Sequence, residues 1–265
     1  MRGLDIPAQF LVAYFLIHFR FIGMMFLSPL FSNTAMPMPF RYLCAVMLTV
    51  AAAPTVTDVT AGHAIPMAIF DSWIAIAIVV LREFFIGAAL GFLATLPITA
   101  AQAAGEKIGM SMALAMAHAV DPTTQQQTSL IAQLYLVVTL WFYFRWNGHL
   151  LMIQAVMESV RLIPLARMNL MPADDMSLAI WIGSVFVLSL RMVLPFYCAI
   201  LLADVGLGFL ARTVPQMNVF VLGLPLKISL GMFVIMIALP LSVDLIFSQI
   251  EPWIEFALAS ATAWR

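Results

Sequence analysis

The chain has 265 residues, of which 64% are hydrophobic and 9% are charged, and its mean hydropathy is +1.05. Soluble domains are roughly half apolar, so this composition indicates an integral membrane protein. A net charge of -1 excludes the positive field that gathers nucleic acid. Cys44 and Cys198 lie in apolar runs without a CxxC or histidine pairing, so they are interpreted as small core residues, and neither a metal site nor a cofactor is predicted.

The first predicted membrane span runs from about Phe10 to Leu30, close to the roughly 20 residues that a bilayer crossing needs. Arg20 lies at its centre, where an arginine is costly unless it faces protein or water. The next apolar run, Tyr42 to Val56, is short for a crossing. The N-terminal part of the chain therefore predicts one full span followed by a shorter helix.

From Met67 to Ala104 the sequence is apolar for longer than one span requires, which predicts two helices or one bent helix. The pair Arg82-Glu83 interrupts this run. Gly87 and Gly91 stand four residues apart and form a small-residue face on which another helix can pack closely.

The segment from Ala104 to Gln127 is neither clearly polar nor clearly membrane-spanning, and we interpret it as a loop between apolar helices. Its glycines permit close backbone approach, its methionines are soft side chains that can repack, and its aspartate-proline pair ends it. The residues concerned are Gly105, Gly109, Met110, Met112, Met116, Asp121 and Pro122. Composition alone favours an ordinary re-entrant or helix-packing segment over a deformable seal.

After this segment, Ser129 to Trp146 reads as a span that ends in the aromatic and basic residues typical of a membrane boundary. Asn147 and Gly148 form a turn signal, so His149 to Pro164 is predicted to fold back as a short helix.

The C-terminal part contains two further apolar runs, Met176 to Leu210 and Val219 to Phe247, separated by a break at Arg212 to Gln216. Charged residues recur inside the apolar runs of the whole chain, at Arg20, Arg82, Glu83, Arg191, Asp204, Lys227 and Asp244. Helices facing lipid would not tolerate so many, whereas helices wrapped by other subunits around a watery conduit could.

Several motifs follow one another along nearly the whole chain. They are an E-x3-G-x3-G helix at Glu83, Gly87 and Gly91, an AG-x2-IG-x11-DP segment from Ala104 to Pro122, an NGH turn at Asn147, and an R-x2-PQ-x-N-x-F-x2-G-x-P-x-K block that includes Arg212, Pro215, Gln216, Asn218, Pro225 and Lys227. In this order they resemble the FliR family, the flagellar branch of an export-gate family shared with virulence type III secretion systems.

The resemblance implies an all-α, polytopic membrane-type protein of broken helical hairpins that forms part of a helical export-gate pore, with residues 1–265 as a single subunit. Such a subunit performs no chemistry. It assembles with FliP and FliQ into the pore through which unfolded flagellar proteins leave the cytoplasm, with FlhB and FlhA as further partners. This implies the bacterial inner membrane and the flagellar basal body as its location. The loop matching Gly105 to Pro122 is a plug in this family.

The sequence also predicts that Arg212 to Lys227 is a broken helix making subunit contacts, because Pro215, Gly223 and Pro225 interrupt helical hydrogen bonding. Three alternatives stay open. The chain could serve a virulence secretion system, although the block around Asn218 favours a flagellar member. A small secondary transporter or an intramembrane enzyme is less favoured, because no repeats and no HExxH or GxSxG motif stand out.

Overall fold

The computed structural model describes residues 8–29, 31, 36–52, 54, 72–112, 129–166, 176–214 and 219–262. All regular secondary structure in these ranges is α-helical, which confirms the predicted all-α fold. The seven helices are α1 (Ala8–Leu27), α2 (Met38–Ala51), α3 (Trp73–Ser111), α4 (Leu130–Arg145), α5 (Gly148–Leu162), α6 (Met176–Thr213) and α7 (Val219–Thr262).

Four of the described helices are long and apolar enough to cross a membrane. They are Phe10–Leu27 within α1, Trp73–Ser111, Gly183–Thr213 within α6 and Val221–Gln249 within α7. The shorter helices α2 and α4 have 14 and 16 residues, fewer than the roughly 20 that a crossing needs. This pattern agrees with the polytopic membrane protein that the composition predicts.

Helix α3 is a single helix of 39 residues. The sequence left open two helices or one bent helix for this apolar run, and the prediction of two helices is wrong. It continues past Pro97 and past Ala104, where the sequence predicted a loop. The loop prediction is therefore wrong as far as Ser111, and the amide of Met112 still bonds to the carbonyl of Ile108 at 3.0 Å. Residues 113–128, with Met116, Asp121 and Pro122, lie outside the described residues.

The predicted broken helix from Arg212 to Lys227 is continuous over its second half. Helix α6 ends at Thr213, within the predicted break at Arg212 to Gln216, and α7 begins at Val219 and passes without interruption through Gly223, Pro225 and Lys227. A proline in the second turn removes one backbone hydrogen bond and crowds the carbonyl four residues earlier, but local adjustments of a long membrane helix can accommodate this. Residues 215–218, with Pro215, Gln216 and Asn218, lie outside the described residues.

The turn between α4 and α5 has the form that its sequence predicts. Asn147 adopts a left-handed conformation with φ 56°, which asparagine tolerates better than most residues. Its carbonyl accepts hydrogen bonds from the amides of Leu150 and Leu151 at 2.8 and 3.1 Å. Helix α5 then runs from Gly148 to Leu162, which confirms the short helix predicted after the turn.

The chain divides into two compact units. The first contains Met1–Leu96, Asn147–Ser177 and Glu251–Arg265, and therefore α1, α2, the first part of α3 and α5. Its fully buried side chains include Ile17, Phe21, Met24, Ile86 and Ile163. The second contains Pro97–Trp146 and Leu178–Ile250. Its fully buried side chains include Ile108, Met112, Met192, Phe196 and Ile246.

Candidate functional site

Helices α1 and α3 approach each other closely in the first unit because glycines line their contact. A Cβ atom added to Gly87 would overlap the carbonyl oxygen of Arg20, and one added to Gly91 would overlap that of Met24. On the opposite helix, a Cβ on Gly23 would overlap the carbonyl oxygen of Phe84. The small-residue face therefore receives another helix of the same chain, at backbone-to-backbone distance.

The same contact encloses a buried ion pair. Arg20 is 0% exposed and Glu83 is 1% exposed. The Arg20 Nε donates to Glu83 Oε2 at 2.7 Å, and Arg20 Nη2 lies 2.6 Å from the same oxygen. The costly charge in the middle of α1 is thus balanced by a charge on α3, and it faces protein.

Helix α5 completes the cluster around this pair. Arg20 Nη1 donates to Ser159 Oγ at 2.9 Å, and Nη2 donates to the carbonyl of Ile163 at 3.3 Å. The second oxygen of Glu83 accepts the amide of Ala166 at 3.0 Å, and Ala166 is held in a left-handed conformation with φ 66°. These bonds connect α1, α3 and the end of α5, and a buried ion pair is stabilising only when it is satisfied in this way. Sequence reasoning missed Ser159, Ile163 and Ala166, because no motif marks them.

In the second unit, the described beginning of the predicted plug segment is packed rather than free. A Cβ on Gly105 would meet the backbone of Ala132 at 2.7 Å, and one on Gly109 would overlap the side chain of Ser129. Both glycines therefore allow α3 to approach the start of α4.

The two described methionines of this segment differ in exposure. Met112 is completely buried beside Gly231 of α7, where an added Cβ would meet the Met112 side chain at 2.6 to 2.9 Å. Met110 is 61% exposed. Only Met110 therefore presents a free side chain here.

The C-terminal block provides a second ion pair. Lys227 Nζ on α7 lies 2.6 Å from Asp204 Oδ1 on α6, and the two side chains are 25% and 48% exposed. Lys227, which the sequence predicted to take part in subunit contacts, pairs here with a carboxylate of its own chain. Arg212, in the same block, is exposed at the end of α6.

We expect replacement of Lys227 by methionine to destabilise the chain by up to about 3 kcal/mol and to weaken assembly, because it leaves Asp204 without its counter-charge on a helix long enough to cross a membrane. If the pair with Asp204 is its main role, then the charge-swapped chain with Asp204→Lys and Lys227→Asp should assemble as well as the unchanged chain. Copurification of accompanying subunits measures this. A swapped chain that assembles no better than Lys227→Met would contradict the pairing.

The remaining charged residues in the apolar runs have less protein around them. Arg82 is half-buried, whereas Arg191 and Asp244 are exposed. Among the described residues, no group of three histidine, cysteine, aspartate or glutamate side chains could hold a metal ion. Cys44 is half-buried but Cys198 is exposed, so the prediction of a core position is wrong for Cys198.

These features define a polytopic, all-helical membrane protein in which glycine-mediated helix packing encloses a buried ion pair. The chain belongs to the bacterial export proteins, family 1, whose family model matches residues 11–252.

Among characterised relatives, the chain is 28% identical over 229 residues to the flagellar biosynthetic protein FliR of Escherichia coli (strain K12), which covers 86% of this chain and 84% of that protein. It is 29% identical over 230 residues to the protein of the same name from Bacillus subtilis (strain 168), covering 86% of each chain. It is also 26% identical over 163 residues to the Yop proteins translocation protein T of Yersinia pestis, covering 59% of this chain and 60% of that protein.

Proposed function

We propose that this chain is a structural subunit of the flagellar type III protein export gate. In this proposal residues 1–265 act as a single subunit, and FliP-like and FliQ-like proteins complete the pore through which unfolded flagellar proteins are exported. FlhB-like and FlhA-like proteins are further partners. The location is the bacterial inner membrane, at the flagellar basal body, and the subunit carries out no chemical reaction.

The observation that carries this proposal is the extent of similarity to the flagellar relatives. The FliR proteins of Escherichia coli and Bacillus subtilis each match 86% of the chain, and the family model spans residues 11–252, which contain all of the motifs from Glu83 to Lys227. A single motif could arise by chance, but an ordered series over this length supports a shared function.

The distribution of charge supports a protein neighbour for the apolar helices. Arg191 and Asp244 are exposed on helices that are long enough to cross a membrane, and Arg212 is exposed at the end of one of them. A charge facing lipid near the bilayer centre costs about 2.5–3.5 kcal/mol on insertion scales. Contacts with other subunits, or with a water-filled pore, would remove this cost.

Assembly tests the proposal directly. The tagged chain, expressed with its FliP-like and FliQ-like partners, is expected to copurify with both in mild detergent, and to restore swimming to a flagellated strain that lacks its own FliR. A chain that purifies as a stable monomer in the presence of both partners would contradict the proposal and favour a small transporter.

For the segment from Gly105 to Pro122 we propose the role of a plug that closes the pore. The moving part begins after Met112 in this proposal, because Gly105, Gly109 and Met112 are packed against α4 and α7. A closure held mainly by dispersion contacts of methionine and alanine can be overcome by a few kcal/mol, which suits a gate that must open for an unfolded chain.

Deleting Ala113 to Ala119 is expected to make the inner membrane leaky to small ions while the complex remains assembled, because the deletion spares the packed residues up to Met112. Membrane conductance and copurification are measured on the same variant. Met110→Ala is the matched control, since Met110 is exposed at the end of the same helix, and it should neither leak nor disassemble. An assembled deletion variant without a leak would exclude the plug.

One observation favours a second candidate, the equivalent subunit of a virulence type III secretion system. That observation is the 26% identity to the Yersinia pestis translocation protein T. This match covers only 59% of the chain, whereas each of the two flagellar matches covers 86%. Complementation separates the two candidates: a flagellar subunit restores motility to a strain without FliR, and a virulence subunit restores secretion to a strain without the translocation protein.

A further inference from the structure

Two apolar cavities lie one after the other between α1 and α2. The smaller one, about 70 Å³, is lined by the last turns of α1, including Ile22 and Phe26, and by Arg41 and Tyr42 at the start of α2. The larger and more open one, about 420 Å³, is lined by Tyr14, Phe15 and His18 on α1 and by Val46, Thr49 and Val50 on α2. Because the lining residues advance turn by turn along both helices, the cavities form one groove, which we call the α1–α2 groove.

The polar groups inside the groove are satisfied by the chain itself. The hydroxyl of Thr49 donates to the carbonyl of Ala45 at 2.7 Å, so the His18 Nδ1, 3.1 Å away, donates to the Thr49 oxygen. With Thr49 and His18 Nδ1 engaged in this way, the described lining of the wide part offers an occupant mainly apolar contacts. Such an apolar lining favours binding of a hydrocarbon chain over binding of a polar molecule, which would lose its hydrogen bonds to water.

Among its described lining residues, the groove carries a permanently charged side chain at one end only, in the narrow cavity. Arg41 lines the narrow cavity, and among the described residues no carboxylate lines either cavity. A basic side chain at the mouth of an apolar cavity matches an anionic head group joined to a hydrocarbon tail.

The position of the groove along the predicted membrane span fits the same ligand. Phe26, which lines the narrow cavity, lies at the end of the span Phe10–Leu27. His18, which lines the wide cavity, lies near the middle of this span. Arg41 and Val50 are nine residues apart on α2, which at 1.5 Å per residue is about 13 Å. This is close to half of the roughly 30 Å hydrocarbon core, so the groove has the depth of one leaflet.

We propose that the α1–α2 groove binds one anionic phospholipid, with an acyl chain between α1 and α2 and the phosphate of the head group beside Arg41. The lipid fills a seam that the two helices leave open and holds α2, which is too short to cross the membrane, against α1. The proposal does not depend on the export function.

Blocking the groove is the first test. The full-length chain is purified from native membranes with any subunits that accompany it, washed in detergent, and its retained phospholipids are identified by mass spectrometry. The unchanged chain should retain phosphatidylglycerol or cardiolipin, and Val46→Trp, which fills the wide cavity, should lose it. Met47→Trp is the matched control, because Met47 is 64% exposed on the same helix and lines neither cavity. Equal retention by both variants would overturn the proposal.

The head-group contact is tested separately with Arg41→Gln. This variant should still retain phospholipid, but its preference for anionic over zwitterionic lipid should fall about fivefold, since one arginine near an anionic surface contributes about 1 kcal/mol. An unchanged preference would overturn the assignment of Arg41.

A third measurement needs no substitution and so does not depend on the folding of a variant. The unchanged chain is incubated in vesicles that contain a phosphatidylglycerol with a photoreactive acyl chain, and the adducts are mapped by peptide mass spectrometry. Adducts on Tyr14 to His18 and on Val46 to Val50 are expected. Adducts spread evenly over the exposed apolar residues of α6 and α7 would indicate ordinary surrounding lipid and would overturn the proposal.

Discussion

Replacing Glu83 by glutamine is expected to lower the stability of the folded chain by about 3–5 kcal/mol, the cost of leaving one partner of a buried ion pair without its counter-charge. Arg20 would remain fully buried in the middle of α1 with no carboxylate beside it. The single amide oxygen of glutamine could accept from Arg20 or from the amide of Ala166, but it could not replace both carboxylate oxygens. The level of full-length chain in membranes and the melting temperature of the purified complex measure this loss.

The exposed pair Glu158 and Arg161 supplies the matched control. Their side chains are 44% and 60% exposed and lie 3.2 Å apart, so Glu158→Gln should change stability by at most about 1 kcal/mol. The double variant Arg20→Met with Glu83→Met should be more stable than Glu83→Gln, since it leaves no unpaired charge. A double variant that is as unstable as the single one would show that shape, and not charge, governs this cluster.

Replacing Gly87 by alanine is expected to have the second largest effect. The new methyl group would overlap the carbonyl oxygen of Arg20, and backbone atoms of two packed helices cannot rotate away as a side chain can. Helices α1 and α3 would have to separate, at a cost of at least about 1–3 kcal/mol, the range for an overpacked core. The separation would also lengthen the contacts between Arg20 and Glu83. Both the amount of the variant in membranes and the melting temperature of the purified complex should therefore fall.

Gly183→Ala is the control for the glycine prediction, because nothing lies within 4 Å of a Cβ added there. In a helix, alanine is favoured over glycine by about 1 kcal/mol, so this control should be neutral or slightly stabilising. The two substitutions are chemically identical and are expected to act in opposite directions. If Gly183→Ala and Gly87→Ala reduced stability equally, the close approach of α1 and α3 would not be the cause.

The sequence identified some of the buried cluster but could not assemble it. The cost of an arginine at mid-membrane singles out Arg20, and Gly87 and Gly91 show a packing face by their spacing alone. No local pattern connects Arg20 to Glu83, which lies 63 residues away, or to Ser159, which lies 139 residues away. Such pairs follow from the tertiary arrangement of the helices, which cannot be inferred from the local patterns of a single sequence.

The wrong boundaries have a common physical cause. Pro215, Gly223 and Pro225 are predicted to interrupt a helix, and apolar runs are expected to match the thickness of a bilayer. In the structure α3 continues through Pro97 and Gly105, and α7 continues through Pro225, because one lost hydrogen bond is small beside the many that a long helix keeps. Helix α3 is consequently about 58 Å long, far beyond the roughly 30 Å hydrocarbon core.

The ion pair between α1 and α3 also sets an order of events during synthesis. Arg20 leaves the ribosome 63 residues before Glu83, which at about 5–20 residues per second is a delay of about 3–13 seconds. Ser159 follows Arg20 by 139 residues, a delay of about 7–28 seconds. Throughout the first interval the partner of Arg20 in the folded chain, Glu83, has not yet been made, and an unpaired arginine costs about 2.5–3.5 kcal/mol in lipid. We therefore expect α1 to insert more stably once α3 has been made and Glu83 can pair with Arg20.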